Sequence, residues 1–86
     1  RPKEKPKDDT RRAERARAAE ERRLMKRIEE LEAEQAGIEI ELANPEVYRD
    51  GARARDLLRG YDRVRAELAA LWDRLGRQPG AADPAR

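Results

Sequence analysis

The chain has 86 residues, of which 47% are charged and 3% aromatic, with neither Cys nor His among them. This composition excludes a multi-layer core, a disulfide framework and the common zinc sites, and it limits the chain to one domain at most. The longest apolar run, residues 68–72, is much shorter than the roughly 20 residues of a membrane span, so we expect a soluble, cytoplasmic protein with no membrane contact.

Side chains suited to catalysis are almost absent. The chain has no Ser, Cys or His, and its only Thr is Thr10, so hydroxyl, thiol and imidazole groups are unavailable as nucleophiles or bases. We therefore expect no enzyme activity, no catalytic residues and no metal or cofactor site in this chain.

The N-terminal third is polar throughout. Residues 1–10 contain two Pro and three Lys and are predicted to be a basic disordered linker. A helix capped by Asp9 or Thr10 should then begin near residue 11. Because Glu14, Arg17 and Glu21 occupy positions where a hydrophobic seam would continue, residues 11–23 are expected to be a solvated helix without a partner.

Two heptad runs follow this segment. Apolar residues recur from Leu24 to Leu42 and again from Ala54 to Leu75, at alternating spacings of three and four, which is typical of coiled-coil seams. Between the runs, Asn44 and Pro45 predict a capped helical turn closed by Gly51, and Gly76 is a suitable C-cap. The fold class is therefore all-α: a two-helix antiparallel coiled-coil hairpin with a short helical turn at the bend. The first helix should cover about 11–43, the bend 44–52 and the second helix about 53–76, with a disordered tail over 77–86.

The two seams are in register for antiparallel pairing within one chain. Six facing pairs have position numbers that add up to 99, from Leu24 with Leu75 at the open end to Leu42 with Leu57 at the bend. This agreement favours a monomeric hairpin, although the same seams could pair between chains. Gln35 would face Val64 as the one polar seam residue, and the roles of Gln35, Gly37 and Gly60 stay open.

The same register predicts the two flanks of the hairpin. On one flank, Met25 should lie beside Trp72, and Glu32 should pair with Arg65. On the other, Arg27 should approach Arg74 and Glu34 should approach Glu67. That flank would carry like charges, unless those side chains splay apart or the edge faces a partner.

Basic residues concentrate outside the seams. Residues 1–23 carry a net charge of +4, and 17 of the 21 basic residues are Arg, which suits contact with phosphates. We predict electrostatic binding of DNA or ribosomal RNA, without base reading, through basic helix faces. The candidate nucleic-acid-binding residues are Arg11, Arg12, Arg15, Arg22, Arg23, Lys26, Arg55, Arg59 and Arg63. Five of them are predicted to share the face of the first helix directed away from the seam: Arg12, Arg15, Arg22, Arg23 and Lys26. The alternative is that these side chains only pair locally, with Glu20, Asp56 and Asp62.

The bend carries a family resemblance. Residues 41–50 read ELANPEVYRD and resemble the Leu-Ala-x-Pro-Glu-x-Tyr turn in the C-terminal coiled-coil domain of Uup-type ABC-F ATPases. The resemblance covers about residues 24–76 and implies a tail domain of a cytosolic ATPase that acts on ribosomes or branched DNA. ATP would then bind upstream of this chain, since no Walker motif is present in it. The alternatives are the tRNA-contacting arm of valyl-tRNA synthetase, or a structural or protein-binding arm that contacts no nucleic acid.

Overall fold

The protein is an antiparallel helical hairpin. A computed structural model describes residues 7–76, with side chains from residue 9 onward. Helix α1 covers Lys7–Leu42, a five-residue 3-10 helix covers Pro45–Arg49, and helix α2 covers Gly51–Leu75. This architecture confirms the predicted fold class. The predicted tail over 77–86 and the first six residues of the predicted linker lie outside the described residues.

Helix α1 begins at Lys7 instead of near residue 11. The prediction that Asp9 or Thr10 caps this helix is therefore wrong, because both residues lie inside it. Pro6 comes directly before α1, and proline disrupts helix on its N-terminal side but not in the residues that follow. Asp9 places negative charge in the first turns, where the helix dipole favours it. The last four residues of the predicted linker are thus helical.

The bend is held by side chains that satisfy backbone groups. Asn44 accepts a 3.0 Å hydrogen bond from the backbone N–H of Glu46, and Pro45 follows as the first residue of the 3-10 helix. The Tyr48 hydroxyl donates a 2.6 Å hydrogen bond to the carbonyl of Leu42, one of the α1 carbonyls that the helix itself leaves unpaired. These contacts explain why the bend needs its Asn, Pro and Tyr.

Helix α2 begins two residues earlier than predicted. Asp50 is its N-cap and accepts hydrogen bonds from the backbone N–H groups of Ala52 and Arg53. Gly51 is therefore the first residue of α2 and does not close the bend. At the other end, Gly76 caps the helix with φ at 75°, as predicted, in a conformation that Gly adopts with little strain.

The core is a single layer of side chains between the two helices. Leu31 and Val64 are fully buried, and Ile28 is 1% exposed. Ile38 and Leu75 pack against this cluster at its two ends, and Gln35 is half-buried within the seam. The remaining members of the buried core cluster are Leu24, Leu68 and Leu71. The seams therefore meet within one chain, in the predicted register.

The two helices have unequal lengths. Helix α1 has 36 residues and α2 has 25. Since α2 ends at Leu75, which the register places opposite Leu24, residues 7–23 of α1 extend about 25 Å beyond the paired region at 1.5 Å per residue. Within the described residues, neither helix is long and apolar enough to span a membrane.

Candidate nucleic-acid interface

One flank of the hairpin is a row of ion pairs between α1 and α2, called here the charged edge. Arg74 lies 2.6 Å from Glu20, Arg27 lies 3.1 Å from Glu67, and Arg63 lies 3.7 Å from Glu34. A fourth pair, between Arg53 and Glu41, lies next to the bend. The long side chains of Arg27 and Arg74, and those of Glu34 and Glu67, therefore splay apart to opposite charges and make no like-charge contacts.

The charged edge avoids repulsion by pairing along a diagonal. Its α1 members, Glu20, Arg27, Glu34 and Glu41, recur every seven residues, so they lie in one row along the helix. Arg27 reaches Glu67, one heptad before the Arg74 assumed in the prediction. Glu20 and Glu41 reach Arg74 and Arg53, which lie in the same heptad row of α2 as Glu67. Glu34 has Gly60 at the corresponding place, and the Arg63 guanidinium fills the space, 3.7 Å from where a Cβ on Gly60 would lie.

The charged edge shifts the pKa of two of its members. The hydrogen bond from Arg23 lowers the pKa of Glu20 below its ordinary value, and the nearby charge of Arg74 adds to this effect. The hydrogen bond to Glu67 raises the pKa of Arg27, and Glu30 adds to this effect. Both groups are thereby held in their charged forms.

The opposite flank is less polar. Met25 and Trp72 are both half-buried against the core. The predicted ion pair between Glu32 and Arg65 does not form, since the Arg65 guanidinium lies 5.6 Å from the centre of the Tyr61 ring. The attraction of the cation to the ring face stabilises this position.

Three of the nine predicted nucleic-acid-binding residues form ion pairs. Arg23 lies 2.7 Å from Glu20, Arg59 pairs with Asp56, and Arg63 belongs to the charged edge. Arg23 and Arg59 thus form the local pairs that the alternative predicted, whereas Asp62 takes part in no ion pair among residues 9–76. These three Arg side chains have carboxylates beside them that would compete with phosphates.

The other six predicted residues are exposed, and none forms an ion pair with another residue in the range 9–76. They are Arg11, Arg12, Arg15, Arg22, Lys26 and Arg55. All but Arg55 lie on α1, most of them in the part that extends beyond α2. The structure therefore concentrates the available positive charge on α1.

Four of these residues lie on the face of α1 directed away from α2, and we call them the outer ridge: Arg11, Arg15, Arg22 and Lys26. Arg15 precedes the buried Leu24 by nine residues, about two and a half turns, and Lys26 follows it by two residues, about half a turn, so both lie opposite the seam. Arg12 and Arg23 were predicted to share this face. Arg23 instead lies beside the charged edge through Glu20, and Arg12, about three turns earlier, lies on the same side.

The acidic residues between Arg11 and Lys26 lie away from the outer ridge. Glu20 points to the charged edge, where it contacts Arg74, and Glu14 and Glu21 lie on the side that faces the seam further along α1. Between Arg11 and Lys26, the outer ridge is consequently a row of cations with no carboxylate on the same helix face, and Glu29 lies on that face about one turn after Lys26. Such a row can contact several phosphates at once.

Residues 12–75 match the family model described as the ABC transporter C-terminal domain. The chain belongs to this family. The range that matches the ABC transporter C-terminal domain includes the bend, both seams and three of the four outer-ridge residues. Comparison with curated proteins and with solved structures found no match. The match gives no support to the alternative of a synthetase arm.

The charged edge is the feature of this ABC transporter C-terminal domain that sequence reasoning missed. Its signal was present as a seven-residue recurrence of charged residues on α1, with opposite charges in a heptad row on α2 for all of them except Glu34, whose place there is taken by Gly60. The role of the Tyr48 hydroxyl was also missed, because the position of the Leu42 carbonyl depends on how the bend folds.

Proposed function

We propose that this domain binds the sugar-phosphate backbone of DNA or ribosomal RNA through the outer ridge, as the non-catalytic C-terminal domain of a cytosolic Uup-type ABC-F ATPase. ATP binding and hydrolysis would belong to other domains of that protein. The domain would add affinity for the nucleic acid on which the ATPase acts. Membership of the ABC transporter C-terminal domain family supports the placement in an ABC protein.

The observation that carries the proposal is the separation of charge on α1. Arg15, Arg22 and Lys26 are exposed, share one face and form no ion pair within residues 9–76, whereas the neighbouring Glu20 is engaged with Arg23 and Arg74. A solvated helix kept soluble by local pairs would have its carboxylates interleaved with these cations. The outer ridge does not show that interleaving.

Binding of a labelled nucleic acid, followed by fluorescence anisotropy over a salt series, tests the proposal. Four phosphate contacts on a duplex predict a loss of affinity of about 100-fold between about 50 and 200 mM salt. The triple variant Arg15→Gln, Arg22→Gln, Lys26→Gln should bind more weakly. The slope of its log affinity against log salt concentration should be shallower by the amount expected for about three phosphate contacts. Circular dichroism should show unchanged helicity, since none of the three side chains packs in the core.

A matched control removes the same charge elsewhere. Arg49→Gln, Arg55→Gln, Arg59→Gln also neutralises three exposed cations, two of which make only local ion pairs. This variant should keep most of the affinity. Equal loss in both variants would show that net charge alone determines binding, and no binding by the unaltered chain at low salt would refute the proposal.

A second candidate function is a protein-binding arm, and exposed apolar side chains favour it. Ile40 is 73% exposed and Leu58 is 48% exposed, both towards the bend end of the hairpin. A partner protein that covers them would bury apolar surface. Replacing both with Glu should abolish binding of such a partner and leave nucleic-acid binding unchanged.

A further inference from the structure

The face of α1 directed away from α2 changes character after Lys26. Beyond it come one carboxylate, Glu29, and then small or apolar residues. We call these the outer stripe: Ala33, Ala36, Gly37 and Ile40. Ala33 follows the buried Leu24 by nine residues, about two and a half turns, and therefore lies opposite the seam. All four residues are exposed, so the hairpin leaves the outer stripe uncovered.

Two residues of the outer stripe have features that the hairpin itself does not require. Gly37 weakens a helix relative to Ala, although a Cβ at this position would meet no atom within 4 Å. Ile40 is 73% exposed and presents apolar surface that burial would stabilise. Because short side chains allow two helices to approach closely, the outer stripe fits another α-helix packed along it.

The charges of α1 indicate which kind of helix fits. Residues 24–43 have two basic and six acidic side chains, a net charge of −4, whereas residues 11–23 have six basic and three acidic side chains, a net charge of +3. A helix that covers the outer stripe should therefore present cations with small residues between them. The outer ridge has this character, because Ala19 lies between Arg15 and Arg22.

We infer that a second copy of this chain covers the outer stripe, with its α1 antiparallel to the first, so that the outer ridge of each copy lies along the outer stripe of the other. This inference goes beyond the proposed function and does not depend on it. A two-fold axis makes every contact occur twice. The position numbers of facing residues add up to 55: Arg15 with Ile40, Ala19 with Ala36, Arg22 with Ala33, and Lys26 with Glu29.

Each of these contacts joins complementary side chains. Lys26 and Glu29 are exposed and form no ion pair within residues 9–76, and in the dimer each meets an opposite charge next to the two-fold axis. Ala19 against Ala36 allows the helices to approach closely. The aliphatic part of an Arg side chain can cover Ile40 while its guanidinium stays in water.

Charge also selects the register of the two copies. A shift of one heptad that lowers the sum to 48 places Arg22 against Lys26. The opposite shift, to a sum of 62, places Lys26 and Glu29 against alanines, so their ion pair is lost. Parallel helices in register would place Lys26 against Lys26. Of these arrangements, the antiparallel one with a sum of 55 pairs opposite charges.

The dimer would cover three outer-ridge residues: Arg15, Arg22 and Lys26. A second copy and a nucleic acid on the outer ridge would therefore exclude each other. Dimerisation is accordingly tested on the 86-residue chain without nucleic acid.

Sedimentation equilibrium over a range of protein concentrations at low salt measures the association. The average mass should rise from 9.9 kDa towards twice that value, and added salt should reverse the rise, because the contacts at the axis are exposed ion pairs. A mass that stays at the monomer value at every concentration would overturn the inference. It would leave the proposed function intact, whose own test is the anisotropy measurement.

Exchange of charges tests whether Lys26 meets Glu29. Glu29→Lys should weaken dimerisation by at least about tenfold, since it places like charges together at two symmetric contacts. The double variant Lys26→Glu, Glu29→Lys restores opposite charges and should dimerise like the unaltered chain. Asp62→Lys makes the same change in charge on α2 and should have little effect. Failure of the double variant to regain dimerisation would contradict the proposed contact.

Cysteine cross-linking tests the register, and the absence of natural Cys makes it specific. In the double variant Ala19→Cys, Ala36→Cys, the two positions lie 17 residues apart on one helix, about 26 Å, whereas a disulfide needs Cα atoms within about 7 Å. Oxidation should therefore join two chains, faster than in either single variant or in Ala66→Cys on α2. Equal rates in all four variants would refute the antiparallel register.

Discussion

The two halves of α1 belong to one continuous helix but differ in composition and in surroundings. The half from Leu24 to Leu42 buries Ile28 and Leu31 against α2, whereas residues 9–17 are exposed on every side. Seven residues before Leu24 and Ile28, the seam positions hold Arg17 and Glu21. Pairing therefore stops where the apolar heptad stops, and the rest of α1 depends on its own helix propensity.

This difference teaches how one helix can serve two purposes. The paired half stabilises the hairpin through apolar burial, which is the largest favourable contribution to folding. The unpaired half leaves its outer face exposed, and it is there that we propose the nucleic acid binds. Four changes can break or sharpen the comparison.

The largest effect is expected in the paired half. Leu31→Ala removes a fully buried side chain and should lower the free energy of unfolding by about 3 kcal/mol, through lost burial and a residual cavity. Urea titration followed by circular dichroism measures this change. Ile40→Ala, at an exposed position of the same half, is the control and should change stability little; equal losses would mean that the seam is not the core.

The start of α2 is stabilised by its N-cap. Asp50→Ala leaves the backbone N–H groups of Ala52 and Arg53 without their side-chain acceptor and should cost about 1 kcal/mol. Asp50→Asn is the matched control, since its amide oxygen can still accept. The same urea titration applies, and an unchanged midpoint for the Ala variant would show that Asp50 does not determine where α2 begins.

Helix propensity should act differently in the two halves. Gly37→Ala places a methyl group where no atom lies within 4 Å, so it should raise the free energy of unfolding by about 1 kcal/mol. Ala13→Gly, in the unpaired half, should reduce the helical signal without moving the midpoint of the urea transition. A shift of that midpoint by Ala13→Gly would show that the two halves unfold as one unit.

The smallest effect concerns Glu20, which connects the unpaired half of α1 to α2 through Arg74. The pKa of Glu20 is lowered in the folded state by Arg23 and Arg74, so its contribution to stability is present above the ordinary carboxylate pKa and is lost as the pH falls through the folded value. Glu20→Gln should therefore remove a small part of the acid dependence below about pH 4.5. Thermal melts at neutral and acidic pH, with Glu21→Gln as the control, measure the difference; identical pH profiles for both variants would contradict this role.

Much of the fold could be predicted because heptad spacing is a local property of the chain. Residue types at fixed spacings predict the start of the first seam at Leu24 and the end of the second at Leu75. They also predict the caps at Asn44 and Gly76. The start of α1 was misplaced because Asp9 and Thr10 are both good caps and acceptable residues in a first turn. The candidate site was predicted less well, since residues of equal charge, such as Arg22 and Arg23, differ only in which face of α1 they occupy and which carboxylate they meet.

The amino-acid sequence by itself determined that the chain forms two helices with matching apolar stripes, a capped bend between them and an N-terminal segment with no stripe at all. Only the tertiary structure decided how the charges are shared. Long Arg and Glu side chains reach across a heptad, so Arg27 meets Glu67 and Arg74 meets Glu20. The cations left on the outer face of α1 are those for which this packing brings no partner within residues 9–76.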